Sequence, residues 1–191
     1  NFEAYLEANG MGDGIAFNDS VFTLAISNVS TLDISNEGIS DLTGIQDFNS
    51  LSFLDCSYNT LTTLDLSSNN NLSFLDCYEN LLVAIDISNC PLLEFLECGR
   101  NNLANLDLST NLALQTFYAE ENEFTYLDLS NLPILNEVDV ELCNLSYLNV
   151  QNGNNTAISY FDVHSNSNLY CIQVDDTAWS YANWSYGIDP H

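Results

Sequence analysis

A 21-residue repeat constrains this chain more than any other feature. Leu51-x-x-Leu54-x-Cys56-x-x-Asn59 spans one unit of ten residues, and an eleven-residue unit follows from Leu61. We call these the Cys-type and the Leu-type unit. Cys-type units begin at Leu51, Leu72, Leu93, Leu114 and Leu135, and Leu-type units at Leu61, Leu82, Leu103, Phe124 and Leu145. Strict alternation at a fixed period predicts a solenoid whose coils each pack against their neighbours.

Each unit contains the pattern of one short strand. In Leu-Asp-Leu and Leu-Asp-Cys the apolar residues point to one side and the aspartate to the other, because side chains alternate along a strand. Two strands per period predict two parallel β-sheets on opposite sides of a flattened right-handed coil, with little helix outside an N-terminal cap. The Asn at the ninth place of most units is predicted to hydrogen-bond the backbone of its own and neighbouring coils.

This motif resembles that of the leucine-rich repeat superfamily, and the nested ten- and eleven-residue units look most like its bacterial class. The flanking stretches NFEAYLEANGMGDG and LYCIQVDDTAWSYANW resemble those of secreted leucine-rich repeat proteins of Bacteroidota-type bacteria. The resemblance implies a leucine-rich repeat β-solenoid that is secreted or displayed on the cell surface. It implies no common ligand, because function is not a property of the fold.

Both ends of the array carry apolar residues suited to capping, since terminal coils otherwise expose an apolar face. Phe2, Tyr5 and Leu6 form one side of a short predicted helix. The C-terminal residues expected to cover the last coil are Trp179, Tyr181, Trp184 and Tyr186. We therefore expect an N-terminal cap at 1–28, the repeat array at 29–174 and a C-terminal cap at 175–191. The polar stretches Asp13-Gly14 and Asn18-Asp19 fit an ordinary turn better than a cation site.

The charge balance excludes several classes of partner. Against 27 acidic residues stands one Lys or Arg, Arg100, for a formal net charge of -26. Nucleic-acid binding needs Lys and Arg to displace counterions, so we expect no nucleic-acid partner. Anionic membrane surfaces are excluded on the same ground, and no apolar run is long enough for membrane insertion. The acidity suits a saline or divalent-rich extracellular setting, or is a general solubility surface. Arg100 falls between Glu79 and Glu121 of neighbouring coils, which predicts a local ion pair.

Patterns for catalysis and metal binding are weak, and we expect the protein not to be an enzyme. Asp162 and His164 would lie about 6.6 Å apart on a strand, beyond direct hydrogen-bond reach. No cofactor and no defined metal site are expected, only weak Ca²⁺ association with the aspartates of the Leu-type sheet. Cys56, Cys77 and Cys98 recur at one place of the repeat, so we expect free, buried thiols and not disulfides.

The outward-facing places of the two predicted sheets differ. On the Leu-type sheet they are monotonous, with Asp65, Asp86 and Asp107 at the fifth place and Ser two residues later. On the Cys-type sheet they are varied and aromatic. The candidate ligand-binding residues there are Phe53, Phe74, Phe95, Tyr58, Tyr78, Tyr118, Asp55, Asp76 and Glu97.

Two interpretations of this aromatic column remain open. Exposed apolar patches mark partner sites, and aromatics are enriched in them. Alternatively, the Phe column only packs on itself and stabilises strand pairing. The favoured function is a non-catalytic extracellular recognition or adhesion module that binds a protein or a neutral glycan through the Cys-type sheet. The alternative is a structural spacer of a larger secreted or surface protein, with no ligand of its own.

Overall fold

A computed structural model of the protein describes residues 2–15, 18, 20–184 and 187, called the described residues below. The chain forms a parallel β-solenoid, as the repeat predicts. Its short helices are α1 (Phe2–Ala8), α2 (Thr23–Ile26) and α3 (Thr177–Asn183), with single 3-10 turns at Ile45–Asp47 and Asn155–Ala157. None of the helices in the described residues is long and apolar enough to span a bilayer.

The Cys-type sheet has seven parallel strands, one from each successive coil. They are β1 (Thr31–Asp33), β2 (Phe53–Asp55), β3 (Phe74–Asp76), β4 (Phe95–Glu97), β5 (Thr116–Tyr118), β7 (Glu137–Asp139) and β9 (Tyr160–Asp162). Neighbouring strands pair in register, so equivalent places of successive repeats lie side by side. The middle residue of every strand is buried and the two flanking residues are outward-facing, which confirms the predicted alternation.

The Leu-type sheet is shorter than the repeat suggests. Its strands are β6 (Tyr126–Asp128), β8 (Tyr147–Asn149) and β10 (Cys171–Gln173), in the spatial order β6-β8-β10. Earlier coils contribute a single bridge between Asp65 and Asp86. The regular strands begin where Tyr126 and Tyr147 stack with ring centroids 5.2 Å apart. A cross-strand aromatic pair stabilises strand pairing. The third-place residues of the earlier coils are small or polar and do not provide this stabilisation.

Buried asparagines join successive coils, as predicted. Asn101 is typical: its Oδ1 accepts a hydrogen bond from the Leu82 amide at 3.0 Å. Its Nδ2 donates to the carbonyls of Cys77, Cys98 and Gly99 at 3.0–3.1 Å. The equivalent residues Asn59, Asn80, Asn122 and Asn166 bond in the same way. Each amide therefore satisfies backbone groups that burial would otherwise leave unpaired.

The fifth-place carboxylate closes a turn, a role that the sequence analysis did not assign. Asp65 Oδ1 accepts the Ser67 amide at 3.0 Å, and Asp76 Oδ1 accepts the Tyr78 amide at 2.9 Å. Such bonds to the amide two residues on define an Asx turn, the local bond that Asp makes readily. In Cys-type units the eighth residue then adopts a positive φ, as Arg100 does at 50°. The turn, and not only exposure to water, explains why this place is acidic.

All six cysteines, each within the described residues, are free thiols. Five are buried, and Cys171 is half-buried. Cys56 Sγ donates to the Asp76 carbonyl of the next coil at 3.3 Å, and Cys77 Sγ to that of Glu97 at 3.4 Å. Burial raises the pKa of both thiols. The predicted free, buried thiols are confirmed.

The first coil is covered by α1, which buries Phe2 and Leu6 against the core. Tyr5 Oη donates to the Asp33 carbonyl at 2.6 Å, so the helix also bonds the outer edge of β1. Glu7 accepts the amides of Asp13 and Gly14, which closes the turn at these two residues. Asp19, in the second polar stretch, lies outside the described residues.

At the other end Trp184 stacks on Phe161 with centroids 4.1 Å apart, and Gly187 O accepts the Val163 amide at 2.9 Å. Trp179 packs against Trp184 edge to face. The expectation for Tyr181 was wrong, because its side chain is 83% exposed. It lies two residues beyond Trp179, more than half a helical turn away, and so points off the coil. Tyr186 lies outside the described residues.

Candidate interaction face

Three phenylalanines form a stacked column on the outer surface of the Cys-type sheet, and we call Phe53, Phe74 and Phe95 the Phe row. The Phe53 and Phe74 centroids lie 4.2 Å apart at an interplanar angle of 9°. Phe74 and Phe95 lie 4.3 Å apart at 4°. All three side chains are half-buried. Because the rings cover each other's faces, what they present to solvent is largely their edges.

The column continues toward the C-terminal coils in a different arrangement. Phe95 meets Tyr118 edge to face at 6.0 Å, and Tyr118 meets Tyr160 in the same way at 6.2 Å. The Tyr118 hydroxyl donates to Glu137, and the Tyr160 hydroxyl donates to Asp139 at 3.1 Å. The aromatic column therefore crosses most of the sheet, although Thr116 and Glu137 occupy the third place in two coils.

Beside the Phe row runs a row of carboxylates at the fifth place, and we call Asp55, Asp76 and Glu97 the carboxylate row. In-register pairing places Asp76 directly between Asp55 and Glu97. The pKa of Asp76 is raised to about 6, mainly by burial and then by Asp55 and Asp33. The pKa of Glu97 is raised to about 8, mainly by burial and then by Glu120, Asp76 and Asp139. Asp76 and Glu97 therefore hold less charge at neutral pH than the composition suggests.

A further carboxylate, Glu120, lies over the backbone of Gly99. A Cβ at Gly99 would come within 2.6 Å of the Glu120 carboxyl carbon, so a larger residue there would require the Glu120 side chain to move. The buried Oε2 of Glu120 has no hydrogen-bond partner among the described residues. Burial, with Asp139 and Glu141 nearby, raises the pKa of Glu120.

The predicted ion pair of Arg100 is confirmed. Its Nε lies 2.8 Å from Glu121 Oε1 and its Nη1 lies 3.2 Å from Glu79 Oε2. The guanidinium carbon also lies 5.5 Å from the centroid of Tyr78, within cation–π range. Tyr78 in turn meets Tyr58 edge to face at 5.3 Å. Tyr58, Tyr78 and Arg100 thus form one border of the Cys-type face.

The expectation for Asp162 and His164 was wrong. His164 Nδ1 lies 2.7 Å from Asp162 Oδ1, and the His164 amide donates to the same oxygen at 3.0 Å. The strand ends at Asp162, and the Asx turn that follows brings the two side chains together. The pair closes a turn on an open sheet surface. Within the described residues, no three His, Cys, Asp or Glu side chains gather as a metal site requires.

The opposite face has carboxylates in a different environment. The pKa values of Asp65, Asp86 and Asp107 are lowered, in each case first by the hydrogen bond from the serine two residues on. This face also carries the Tyr126–Tyr147 stack, which the fifth- and seventh-place residues do not predict. The third place holds both tyrosines and was the signal that could have found them.

Comparisons with known proteins support the repeat assignment. No protein-family profile matches the chain. A stretch of 51 residues is 41% identical to part of Internalin J from Listeria monocytogenes serotype 4b. That stretch is 27% of this chain and 6% of the length of Internalin J.

Solved structures show the fold. An internalin (inlF) from Listeria monocytogenes 4b superimposes on 91% of this chain with a TM-score of 0.72 at 18% identity. The APL1 leucine-rich repeat domain superimposes on 81% with a TM-score of 0.67 at 19% identity. These matches cover 55% and 42% of the two solved chains. The fold is a leucine-rich repeat β-solenoid, and the similarity to Internalin J supports a bacterial leucine-rich repeat protein.

Proposed function

We propose that this chain is a non-catalytic protein-recognition module of an exported or surface-displayed bacterial protein, and that it binds through the Cys-type face. The observation that carries the proposal is the Phe row, three stacked aromatic side chains on an outward-facing surface with a row of carboxylates beside it. Aromatic groups buried in an interface can each contribute about 2 kcal/mol or more to binding.

The two faces of the solenoid support recognition over a purely structural role. The Cys-type face has a seven-stranded sheet with an aromatic column across it, whereas the other sheet has three strands and one stacked tyrosine pair. A spacer needs only enough polar surface to stay dissolved, and it requires no difference between its two faces. The spacer remains the second candidate, because stacked Phe rings also stabilise strand pairing.

A protein is a better candidate than a glycan because of how the rings are oriented. Sugar rings pack on the faces of aromatic side chains, and the faces within the Phe row are covered by stacking at 4.2–4.3 Å. Ring edges and the adjacent carboxylates suit the mixed apolar and polar side chains of a polypeptide. A neutral glycan would have to use the more exposed rings of this face, which are Tyr58 at its border (52% exposed) and Tyr160 on β9 (44% exposed).

Export is supported by the charge and by the resemblance of the flanking segments to those of secreted Bacteroidota-type proteins. A formal net charge of -26 is better tolerated where salt or divalent cations screen it. Weak Ca²⁺ association with the exposed aspartates fits the same setting.

The test compares two variants that remove stacked aromatics from opposite faces. One carries Phe53→Thr, Phe74→Thr and Phe95→Thr, and the control carries Tyr126→Thr and Tyr147→Thr. Threonine already occupies the same place in Thr116 and Thr63, so both variants should remain folded. Folding is checked by circular dichroism, and binding by screening the wild type against arrays of extracellular proteins and of glycans.

A protein ligand that the Phe variant loses and the Tyr variant retains supports the proposal. Ligands that both variants bind equally place the site elsewhere and overturn it. A wild type that binds neither array supports the spacer.

A further inference from the structure

Arg100 shows how this surface binds a cation, and it is the only Lys or Arg in the chain. Its guanidinium bonds Glu79 of the preceding coil and Glu121 of the following coil, at 3.2 and 2.8 Å. It also lies over the ring of Tyr78. Carboxylates from alternate coils and an aromatic side chain thus form a recess for a guanidinium, a planar donor that suits such bonding.

The carboxylate row repeats this arrangement with no cation of the chain's own. Asp76 and Glu97 each use one oxygen to accept a backbone amide, from Tyr78 and Gly99. Their second oxygens have no hydrogen-bond partner among the described residues. The neighbouring strands place further carboxylates in register beside them and the Phe row two residues away. Like charges about 4.8 Å apart repel, so the row gains most from a positively charged partner.

We propose that the Cys-type face binds a polypeptide segment in which arginine or lysine alternates with apolar side chains. The cationic groups pair with the carboxylate row, and the apolar side chains contact the exposed edges of the Phe row. This inference rests on the proposed function and names the chemistry of its partner. A cationic polypeptide is the best match because the face combines carboxylates with aromatic side chains, and the chain has a single Lys or Arg of its own to pair with them.

The same geometry makes binding depend on pH. Asp76 is faced by Asp55 and Glu97 in the adjacent strands, with Asp33 one strand further away. The groups that face Glu97 are Asp76 on β3, Tyr118 on β5, Glu120 beyond β5 and Asp139 on β7.

All of these neighbours are acidic or neutral, so burial and repulsion hold the pKa of Asp76 at about 6 and that of Glu97 at about 8. A bound cation favours the ionised carboxylates and so releases protons. Affinity for a cationic segment should therefore rise from pH 5.5 to pH 8.5.

The experiment uses a synthetic peptide of alternating arginine and leucine, and a second peptide with citrulline, the neutral analogue of arginine, in place of arginine. Titration calorimetry is performed on the full chain at physiological salt, where exposed charges are partly screened. One variant carries Asp55→Asn, Asp76→Asn and Glu97→Gln, which keep the oxygen that closes each turn. The matched control carries Asp65→Asn, Asp86→Asn and Asp107→Asn on the opposite face, and removes the same number of carboxyl groups.

We expect the arginine peptide to bind the wild type more tightly at pH 8.5 than at pH 5.5, and the citrulline peptide to bind weakly at both. The carboxylate-row variant should lose about tenfold or more in affinity, and the opposite-face control much less. Equal losses in both variants would indicate general attraction to an acidic protein and overturn the inference. If the arginine peptide fails to bind while the Phe→Thr variant still loses a ligand, the partner is not cationic and the proposed function stands. If neither effect is seen, both proposals fall.

Discussion

Replacing Asn101 with alanine tests whether the buried asparagines hold the coils together. Asn101→Ala removes the acceptor of the Leu82 amide, a fully buried group with no other acceptor among the described residues. Leaving that donor unpaired costs about 1–3 kcal/mol. Each of the three carbonyls that Asn101 bonds still accepts a hydrogen bond from a second donor. Losing the three bonds from Asn101 Nδ2 therefore adds only about 1 kcal/mol. We expect a destabilisation of about 2–4 kcal/mol.

The effect is measured by urea unfolding monitored by far-ultraviolet circular dichroism, and by the melting temperature. For a chain of this size, about 3 kcal/mol lowers the melting temperature by roughly 6–12 °C. The control is Asn102→Ala, because Asn102 is exposed and its side chain makes no hydrogen bond among the described residues. A shift for Asn101→Ala no larger than that of the control would refute the role assigned to the asparagines.

Three further outcomes follow from the structure. Because the pKa of Glu97 is raised above its unfolded value, the stability it contributes is present at low pH and lost as pH rises through about 8. The melting temperature should fall from pH 5 to pH 8.5, less so in Glu97→Gln, and added NaCl should raise it at the higher pH. A thiol reagent should react with Cys171 first in the native protein and find six thiols in denaturant; three disulfides would contradict the structure. A Cβ at Gly187 would lie 1.9 Å from the Phe161 carbonyl, so Gly187→Ala should detach the C-terminal cap and shift tryptophan emission to the red; unchanged emission would contradict this packing.

Sequence periodicity predicted those features that depend only on stacking in register. Once successive repeats lie side by side, residues 21 apart become neighbours, which places Arg100 between Glu79 and Glu121 and stacks the Phe row. The burial of the repeat's asparagines and thiols follows from the same rule, because equivalent inward-facing places of successive coils lie side by side.

What periodicity did not predict depends on backbone conformation within one repeat. The extended geometry assumed for Asp162 and His164 ends at Asp162, and the turn beyond it brings their side chains within hydrogen-bond distance. The same turn gives the fifth-place aspartates their structural role, which an alternating pattern of exposed and buried residues does not reveal. The limited extent of the Leu-type sheet depends on the third-place residues, and these vary too much to belong to the repeat motif.

The two faces show that one motif position can have opposite electrostatic behaviour. Asp65 and Asp76 occupy the same place of their units and accept the same kind of amide bond. The pKa of Asp65 is nevertheless lowered and that of Asp76 is raised, because Asp65 is exposed whereas Asp76 is half-buried. The third-place residue of the same unit is Thr63 in the first case and Phe74 in the second. On the Cys-type face the Phe row supplies the apolar contact of the proposed interaction, and the burial of Asp76 and Glu97 raises their pKa, so that a bound cation would increase the charge of these two carboxyls.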